Sequence, residues 1–384
     1  MTWPMVRLGD VATLINGRAY KQAELLNEGK YRVLRVGNFF SNRGWYYSDL
    51  ELPNKNYCEN GDLLYAWSAS FGPRIWGGDK VIYHYHIWKI ELNESVVDKK
   101  YLYHALAYDV DKIKLEQGSG STMIHVTKAA MEERYIPLPP LEEQKRIAAV
   151  LDKADAIRQK RQQAIALAND FLRSVFLDIF GNPITNSKGW DEVTLKEIAD
   201  IRSGVAKGKQ LKENDSITLP YMRVANVQDG YLDLSSIQEI TVSKRDAEKC
   251  KLKKGDILLT EGGDPDKLGR GHVWNGEIES CIHQNHIFSV RIIDREYIRP
   301  EFLSAVISSL RGKQYFLKMG KQTTGIATIN KTVLSDFMPF VPPVDIQDKY
   351  LNIVRKVKGL PMYNEYDYTK LFHSLSQKAF SGQL

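Results

Sequence analysis

One short run in the second half of the chain carries residues suited to metal-dependent chemistry. Glu261, Asp264 and Asp266 flank two glycines and a proline, and Lys267 follows them. Carboxylates at such spacing can hold Mg²⁺ beside a phosphate, as metal-dependent nucleases require. Glycine and proline are equally typical of a solvated turn, and the corresponding stretch of the first half, 66–74, has no carboxylate. A surface turn is the favoured interpretation.

Two pairs of histidines are spaced so that they could bind a metal ion. One residue separates His84 from His86, and two separate His283 from His286. Two imidazoles on a strand or tight turn can face one ion, but neither pair has a third ligand at a recognisable spacing. A buried, hydrogen-bonded histidine is the commoner role, and contact with a base edge or a phosphate is a third interpretation.

The common catalytic motifs are absent from the sequence. It contains no GxxxxGK[ST] phosphate loop, no GxGxxG after a strand, no HExxH and no GxSxG. Its three cysteines, Cys58, Cys250 and Cys281, stand far apart and have none of the paired spacings of a zinc site. The sequence therefore predicts a protein that is not an enzyme and that holds neither a metal nor a cofactor.

Polar residues in the predicted loops fit the recognition of DNA better. Arginine reads guanine, asparagine and glutamine read adenine, and lysine holds phosphates. The predicted DNA-binding residues of the first half are Arg35, Asn38, Arg43, Trp67, Ser68, Arg74, Ser119 and Ser121. Those of the second half are Lys207, Lys209, Arg223, Asn226, Lys267, Arg270, Gln284, Gln322 and Thr323. For each of them the alternative is a surface residue with no such role.

The chain nearly repeats itself with a period of about 190 to 200 residues, which is the size of a domain. The matching segments are 6–19 with 193–206, 31–39 with 221–227, 60–67 with 254–261, 86–92 with 286–292, and 136–144 with 339–347. The framing segments agree, whereas the loops between them differ. Two copies of one scaffold with unlike loops would read two unlike DNA half-sites.

A long helix is predicted between the two copies. From Leu141 to about Phe180 the chain has neither glycine nor proline, and apolar residues recur at alternating three- and four-residue spacings. Such a helix would span roughly 57 Å, which is about one and a half turns of B-DNA. A second helical region runs from Val344 to the end, and Gly359–Pro361 should break or kink it. We expect the two regions to pack antiparallel.

Composition agrees with a folded protein that could bind a polyanion. The chain has 384 residues, 43% of them hydrophobic, and a net charge of +6 that is spread evenly along it. It has no uninterrupted apolar run of membrane-spanning length and no signal-peptide pattern at its start. We therefore expect a soluble cytoplasmic protein.

The run from Pro137 to Pro183 closely resembles the central conserved region of the specificity subunits of Type I restriction-modification systems. The strands at 61–64 and 255–258, the Gly- and Ser/Thr-rich run before each Pro-Pro pair and the terminal KAFSGQL are also typical of that family. The resemblance covers nearly the whole chain. It implies an α+β fold with a pseudo-twofold internal repeat, in which two similar mixed α/β target-recognition domains are joined by two long antiparallel, coiled-coil-like helical regions.

The resemblance also implies the domain limits and the partners. The expected segments are a first target-recognition domain (1–140), a spacer helix (141–182), a second target-recognition domain (183–343) and a C-terminal helical region (344–384). Two methyltransferase subunits would dock on the helices, a restriction/translocase subunit would join them, and the target would be a bipartite, asymmetric duplex. S-adenosylmethionine would be bound by the methyltransferase. The predicted partner-binding residues are Leu141, Ile147, Leu151, Leu172 and Val175.

Two alternatives remain open at this point. The chain could be the specificity module of another restriction type, which would act with a combined nuclease-methyltransferase. It could instead be a coiled-coil scaffold that binds only protein, which would show no salt-sensitive affinity for DNA.

Overall fold

The chain divides into two compact units, each of mixed helix and sheet. The computed structural model describes residues 3–41, 44–68, 71–117, 125–206, 208, 215–264, 268–323, 326–363 and 368–384. The first unit is Met1–Gln163 with Glu365–Leu384, and the second is Ala164–Asn364. The predicted α+β class is confirmed. None of the helices within the described ranges is long and apolar enough to cross a membrane.

The strands are short and the helices vary in length. In chain order the strands are β1 (Met5–Arg7), β2 (Ala12–Asn16), β3 (Tyr31–Leu34), β4 (Tyr46–Ser48), β5 (Tyr57–Cys58), β6 (Leu63–Ala66), β7 (Gly72–Ile75), β8 (Val81–Tyr83), β9 (Ile87–Leu92), β10 (Tyr135–Pro137), β11 (Asp191–Glu192), β12 (Ala199–Ser203), β13 (Ser216–Met222), β14 (Val227–Gln228), β15 (Tyr231–Leu232), β16 (Gln238–Ser243), β17 (Ile257–Thr260), β18 (Gly262–Gly263), β19 (Gly271–Val273), β20 (Ile282–His283), β21 (Ile287–Ile292), β22 (Lys321–Thr323), β23 (Ile326–Thr328) and β24 (Phe340–Val341). The α-helices are α1 (Leu8–Val11), α2 (Val36–Phe40), α3 (Lys99–Gln117), α4 (Lys128–Glu132), α5 (Leu141–Phe180), α6 (Leu195–Ile198), α7 (Lys244–Cys250), α8 (Pro300–Ser308), α9 (Leu310–Met319), α10 (Lys331–Ser335), α11 (Val344–Lys358) and α12 (Tyr368–Phe380).

The sheet order of the first unit recurs in the second. An antiparallel sheet has the order β2-β9-β6-β7 in the first unit and β12-β21-β17-β19 in the second. A second sheet contains β4-β3-β8-β5 in the first unit and β16-β13-β20 in the second, and in it β3 pairs parallel with β8 as β13 does with β20. A two-stranded ribbon, β1-β10 or β11-β24, joins the ends of each copy. The predicted internal repeat is therefore present in the strand pairing.

The repeated Gly-Asp pair starts the central strand of each copy. Gly61 and Gly255 have φ values of +93° and +91°, a conformation that glycine adopts without steric cost. The fully buried Asp256 carboxylate pairs with the Arg291 guanidinium at 2.6 Å, and Asp62 makes the matching ion pair with a lysine of β9 at 2.9 Å. The aspartate thus ties the turn to the neighbouring strand.

The long helix α5 has the predicted limits, and it ends where Gly181 takes a φ of +78°. The second helical region is interrupted as predicted, because α11 ends at Lys358 and α12 begins at Tyr368. The first part of α5 and all of α12 belong to the first unit, whereas α11 belongs to the second. The compact units therefore group the chain differently from the four segments expected from the sequence.

A buried glutamine fastens the first residues of α5 to the first unit. Gln144 is fully buried, and its side-chain oxygen accepts a hydrogen bond from the Asp98 main-chain N–H at 2.8 Å. Its amide nitrogen donates to the main-chain oxygens of Val96 and Pro139 at 2.9 and 2.8 Å. Gln347, also fully buried, repeats the arrangement at the start of α11 with bonds of 2.9, 3.1 and 2.8 Å.

We predict that Gln144→Leu lowers the free energy of unfolding by about 3 kcal/mol, because it leaves one N–H and two carbonyls buried without partners. Denaturant unfolding of the full chain measures this loss. The matched control is Gln162→Leu, an exposed position on the same helix, which should change stability by no more than about 0.5 kcal/mol. Equal effects of the two substitutions would contradict the role of the buried amide.

His283, at the end of β20, is held neutral by burial. Its side chain is 1% exposed, and Nδ1 lies 2.9 Å from the Ile287 main-chain oxygen. Burial lowers the pKa of His283 to about 4. The unfolded chain has a histidine pKa of about 6.5, so the unfolded state takes up the proton first as the pH falls. The contribution of neutral His283 to the free energy of unfolding is therefore complete above pH 6.5 and is lost as the pH falls from 6.5 to 4.

We predict that His283→Gln weakens this pH dependence, since the titrating group is removed and a polar side chain is retained. The slope of unfolding free energy against pH should fall by at most about 1.4 kcal/mol per pH unit. Denaturant unfolding between pH 7 and 4.5 measures the slope. Gln162→Leu, which removes no titrating group, is the control and should leave the slope unchanged. An unaltered slope in His283→Gln would show that another group is responsible.

Candidate nucleic-acid interface

A turn of three accessible residues stands at the same place in both units. It joins β8 to β9 as His84-Tyr85-His86, and β20 to β21 as Gln284-Asn285-His286. The strands on either side of each turn are buried. Each turn therefore projects polar and aromatic side chains from a rigid base.

The main chain of the turn is held by the same four hydrogen bonds in each unit. The N–H of the first turn residue bonds to the end of β3 or β13, that of the second to the loop after β2 or β12, and the N–H of the residue after the turn closes back onto the first. The carbonyl of the last turn residue accepts from the residue that follows β6 or β17. In the first unit the bonds are His84 N to Leu34 O (2.9 Å), Tyr85 N to Arg18 O (3.1 Å), Ile87 N to His84 O (2.9 Å) and Trp67 N to His86 O (3.1 Å). In the second unit they are Gln284 N to Met222 O (3.0 Å), Asn285 N to Val205 O (2.9 Å), Ile287 N to Gln284 O (2.9 Å) and Glu261 N to His286 O (3.0 Å).

A glycine allows the loop after β2 or β12 to lie against this turn. A Cβ atom placed on Gly17 would come within 2.4 Å of the His84 carbonyl oxygen, and one on Gly204 within 2.0 Å of the His283 carbonyl oxygen. No side chain fits in that space. The glycine shared by the two halves of the sequence is thus explained by the approach of two main-chain segments.

The turn of the first unit lies in an aromatic cluster. The half-buried Trp67 ring stands 5.0 Å from the His86 ring and stacks on Trp88 at 5.7 Å, and its indole N–H donates to the Tyr85 main-chain oxygen at 2.8 Å. Burial lowers the pKa of His84 to about 4 and also lowers the pKa of His86. Both imidazoles are therefore neutral at pH 7, so this surface offers ring faces and neutral hydrogen-bonding groups.

The turn of the second unit is polar rather than aromatic. Glu261 takes the place of Trp67, and its carboxylate oxygen lies 2.9 Å from His286 Nδ1. Gln284 and Asn285 place two partly exposed amides beside this pair. Asp264, which follows β18, is exposed. Within the described part of the chain, no three histidine, cysteine or carboxylate groups are arranged to hold a metal ion.

Two predicted Arg-Asn pairs hold local structure together. The Arg35 guanidinium lies 4.1 Å from the centre of the Tyr46 ring, and the corresponding Arg223 donates to the Ser236 main-chain oxygen at 2.9 Å. Asn226 is 3% exposed, and its amide donates to main-chain oxygens at 2.8 and 3.1 Å. Its side chain is not presented to a base in this conformation. Asn38 is half-buried and donates to a main-chain oxygen at 3.3 Å.

The remaining predicted DNA-binding residues are dispersed. Trp67 and Gln284 lie at the turns, and Ser68 is buried directly after Trp67. Arg74, on β7, donates to the Phe39 main-chain oxygen, and Arg270 is half-buried just before β19. The main chain of Gln322 and Thr323 belongs to β22. The residues outside the described ranges are Arg43, Ser119, Ser121, Lys207, Lys209 and Lys267.

The residues predicted to bind partners lie largely inside the protein. Ile147 and Leu151 are fully buried in the core of the first unit. Leu172 is buried and Val175 partly buried in the second unit, and Leu141 is half-buried. This placement does not support contact between a partner and Ile147 or Leu151, because those side chains already pack within their own unit.

Sequence reasoning missed Tyr85 and Asn285 as members of the site. The sequence did contain a signal for them. Three polar or aromatic residues stand between two apolar strands at matching positions of the repeat, and such an insertion indicates an exposed turn.

Comparison with known proteins identifies the family. The model of the Type I restriction modification DNA specificity domain matches residues 1–167 and again 187–359. The specificity subunit of the Escherichia coli Type I restriction enzyme EcoBI is 25% identical, in an alignment that covers 100% of this chain and 86% of that protein. The EcoKI specificity subunit of Escherichia coli strain K12 is 24% identical, with 100% and 89% covered. The crystal structure of a Type I restriction-modification S subunit from M. genitalium has the same fold, with a TM-score of 0.59, 18% identity, and 99% and 96% of the two chains covered. This chain therefore belongs to the family of Type I restriction-modification DNA specificity domains.

Proposed function

We propose that this chain is the DNA-reading subunit of a Type I restriction-modification enzyme. In this function each unit reads one half of a bipartite, asymmetric duplex target, and the bases between the halves are not read. The observation that carries the proposal is the turn itself: an identical main-chain frame displays His-Tyr-His in one unit and Gln-Asn-His in the other. Equal frames with unlike side chains suit two half-sites of unlike sequence.

The side chains at the turns have the chemistry that base recognition needs. Glutamine and asparagine can pair with adenine through one donor and one acceptor, and an imidazole can meet either a donor or an acceptor on a base edge. The aromatic cluster around Trp67 adds apolar contact surface of the kind that packs against a thymine methyl group. Contacts of these types select sequence, whereas lysines and arginines elsewhere on the surface would hold phosphates.

The complete enzyme in this proposal has three kinds of subunit. Two copies of the methyltransferase subunit bind the helices of this chain and carry S-adenosylmethionine, and a restriction/translocase subunit joins them for cleavage. This chain supplies no catalytic group and works in the cytoplasm, where the DNA is. The match of the whole chain to specificity subunits supports this assignment.

We predict that the methylation pattern depends on this chain. Methylated bases are mapped across the genome of cells that contain the neighbouring methyltransferase, with and without this chain. A split motif should appear only when the chain is present. Replacing residues 1–140 by those of another specificity subunit should change one half of the motif and leave the other half intact. An unchanged methylation pattern would favour a scaffold that binds protein only. That alternative also predicts that the complex shows no salt-sensitive affinity for DNA that depends on this chain.

We also predict that α5 sets the length of the unread gap. Inserting one helical turn, about 5.4 Å, should lengthen the gap by one or two base pairs. The sequences of both half-sites should stay the same, because the three-residue turns at 84–86 and 284–286 are not altered. The measurement is again the methylated motif, and a substitution of exposed residues at the same point of the helix is the control. A gap of unchanged length would contradict the spacer role.

A further inference from the structure

The last residue of the three-residue turn, His86 or His286, is histidine in both units, but the side chain that contacts it differs. In the second unit the Glu261 carboxylate contacts His286 Nδ1 at 2.9 Å. In the first unit the Trp67 ring meets the His86 ring edge to face, at 5.0 Å and an interplanar angle of 77°. Each supporting residue directly follows the central strand, and its N–H bonds to the main-chain oxygen of the histidine that it supports. The support and the histidine are therefore fixed to one another through the main chain.

The Glu261 carboxylate occupies Nδ1 of His286, so Nε2 is the imidazole nitrogen that remains available to a ligand. An ionised carboxylate only accepts hydrogen bonds, so Nδ1 of His286 must carry the proton that it shares with Glu261. In a neutral imidazole the other nitrogen then has a lone pair and accepts. The His286 side chain is 58% exposed, whereas the Glu261 side chain is 30% exposed. The histidine thus remains open to a ligand while its tautomer is set from behind.

We infer that Glu261 is a positioning residue, and that it fixes His286 to accept a hydrogen bond through Nε2 from the exocyclic amino group of an adenine or a cytosine. This inference rests on the proposed function. In the major groove the N6 amino group of adenine and the N4 amino group of cytosine are the donors on base edges, whereas guanine and thymine offer acceptors there. Every base pair has one such amino group, on its adenine or on its cytosine, so His286 specifies which strand carries the amino group at one position of the second half-site.

The neighbouring residues of the turn agree with such a role. Gln284 and Asn285 are held by main-chain bonds of 3.0 and 2.9 Å to Met222 and Val205. The main-chain bonds therefore hold the three residues of the turn in fixed positions, one after another. A row of Gln, Asn and His reads adjacent bases only if each side chain has a defined direction. The Glu261 contact gives His286 that direction.

The first unit provides the contrast. Trp67 packs against the edge or face of its neighbours and donates its only N–H to the Tyr85 main-chain oxygen at 2.8 Å. Tryptophan has no acceptor for a histidine N–H other than its ring face. The tautomer of His86 is therefore not set by a carboxylate at this position, and the same histidine is expected to discriminate bases differently in the two half-sites.

The test uses the complete complex with its methyltransferase and duplexes in which each base pair of the second half-site is replaced in turn. Methylation rates are measured for the original chain and for His286→Ala, Glu261→Leu and Glu261→Gln. His286→Ala should reduce discrimination about tenfold at one position, which is the loss of roughly one hydrogen bond. Glu261→Leu should relax the same position, and Glu261→Gln should retain most of the discrimination because its amide oxygen still accepts from Nδ1.

The double variant separates positioning from a general structural effect. If Glu261 acts through His286, adding Glu261→Leu to His286→Ala causes no further loss. Glu248→Leu, at an exposed position of α7, is the matched control and should leave every position of both half-sites unaffected. Duplexes with purine in place of adenine, or with cytosine lacking its amino group, distinguish the two candidate bases at the relaxed position.

Several results would overturn the inference. It fails if His286→Ala changes no position, if removing the amino group from the base at the relaxed position does not slow methylation by the original chain, or if Glu261→Leu weakens all positions equally. In each of these cases the split motif would still vanish when the chain is removed, so the proposed function would stand. If methylation is the same with and without the chain, it is the proposed function that fails.

Discussion

The fold depends on two buried glutamines, one in each unit, that bond the start of a helix to the main chain of the same unit. A helix that starts at the surface of a domain has a fixed direction only if its first turn is bonded to the rest of that domain. At Gln144 and Gln347 a buried amide supplies one acceptor and two donors to main-chain atoms around the start of the helix. Glutamic acid could not donate to both carbonyls and leucine could donate to neither, so the repeated residue type follows from the geometry.

The same principle explains why the repeat survives in weakly similar sequence. The shared positions are those where a main-chain atom needs one particular partner: a glycine where two main-chain segments touch, an aspartate after a left-handed turn, and a glutamine at the helix start. Elsewhere the two units need only apolar residues of suitable size. Buried strands tolerate exchanges among such residues far better than they tolerate an unpaired polar atom.

Much of the architecture could be predicted from the sequence, whereas the site could be predicted only in part. The limits of α5 followed from the absence of glycine and proline over 40 residues, and the break of the second helical region followed from Gly359–Pro361. The direction of polar side chains could not be predicted. Arg223 and Asn226 looked like base readers, but they bond to main-chain atoms that only the folded loop brings within reach. A polar residue in a loop has the same appearance in sequence whether it turns inward or outward.

In the turns, the interactions that hold the main chain are separate from the side chains that would select a DNA sequence. Four main-chain hydrogen bonds hold each turn, and none of them requires a particular side chain at the three turn positions. Exchange of His-Tyr-His for Gln-Asn-His therefore leaves the frame intact, as the two units themselves demonstrate. In a protein that reads DNA, such a frame permits a new target sequence without a new fold. The residue behind the turn, Trp67 or Glu261, extends this freedom, because it changes how the same histidine is presented while its own main-chain bond to the turn stays the same.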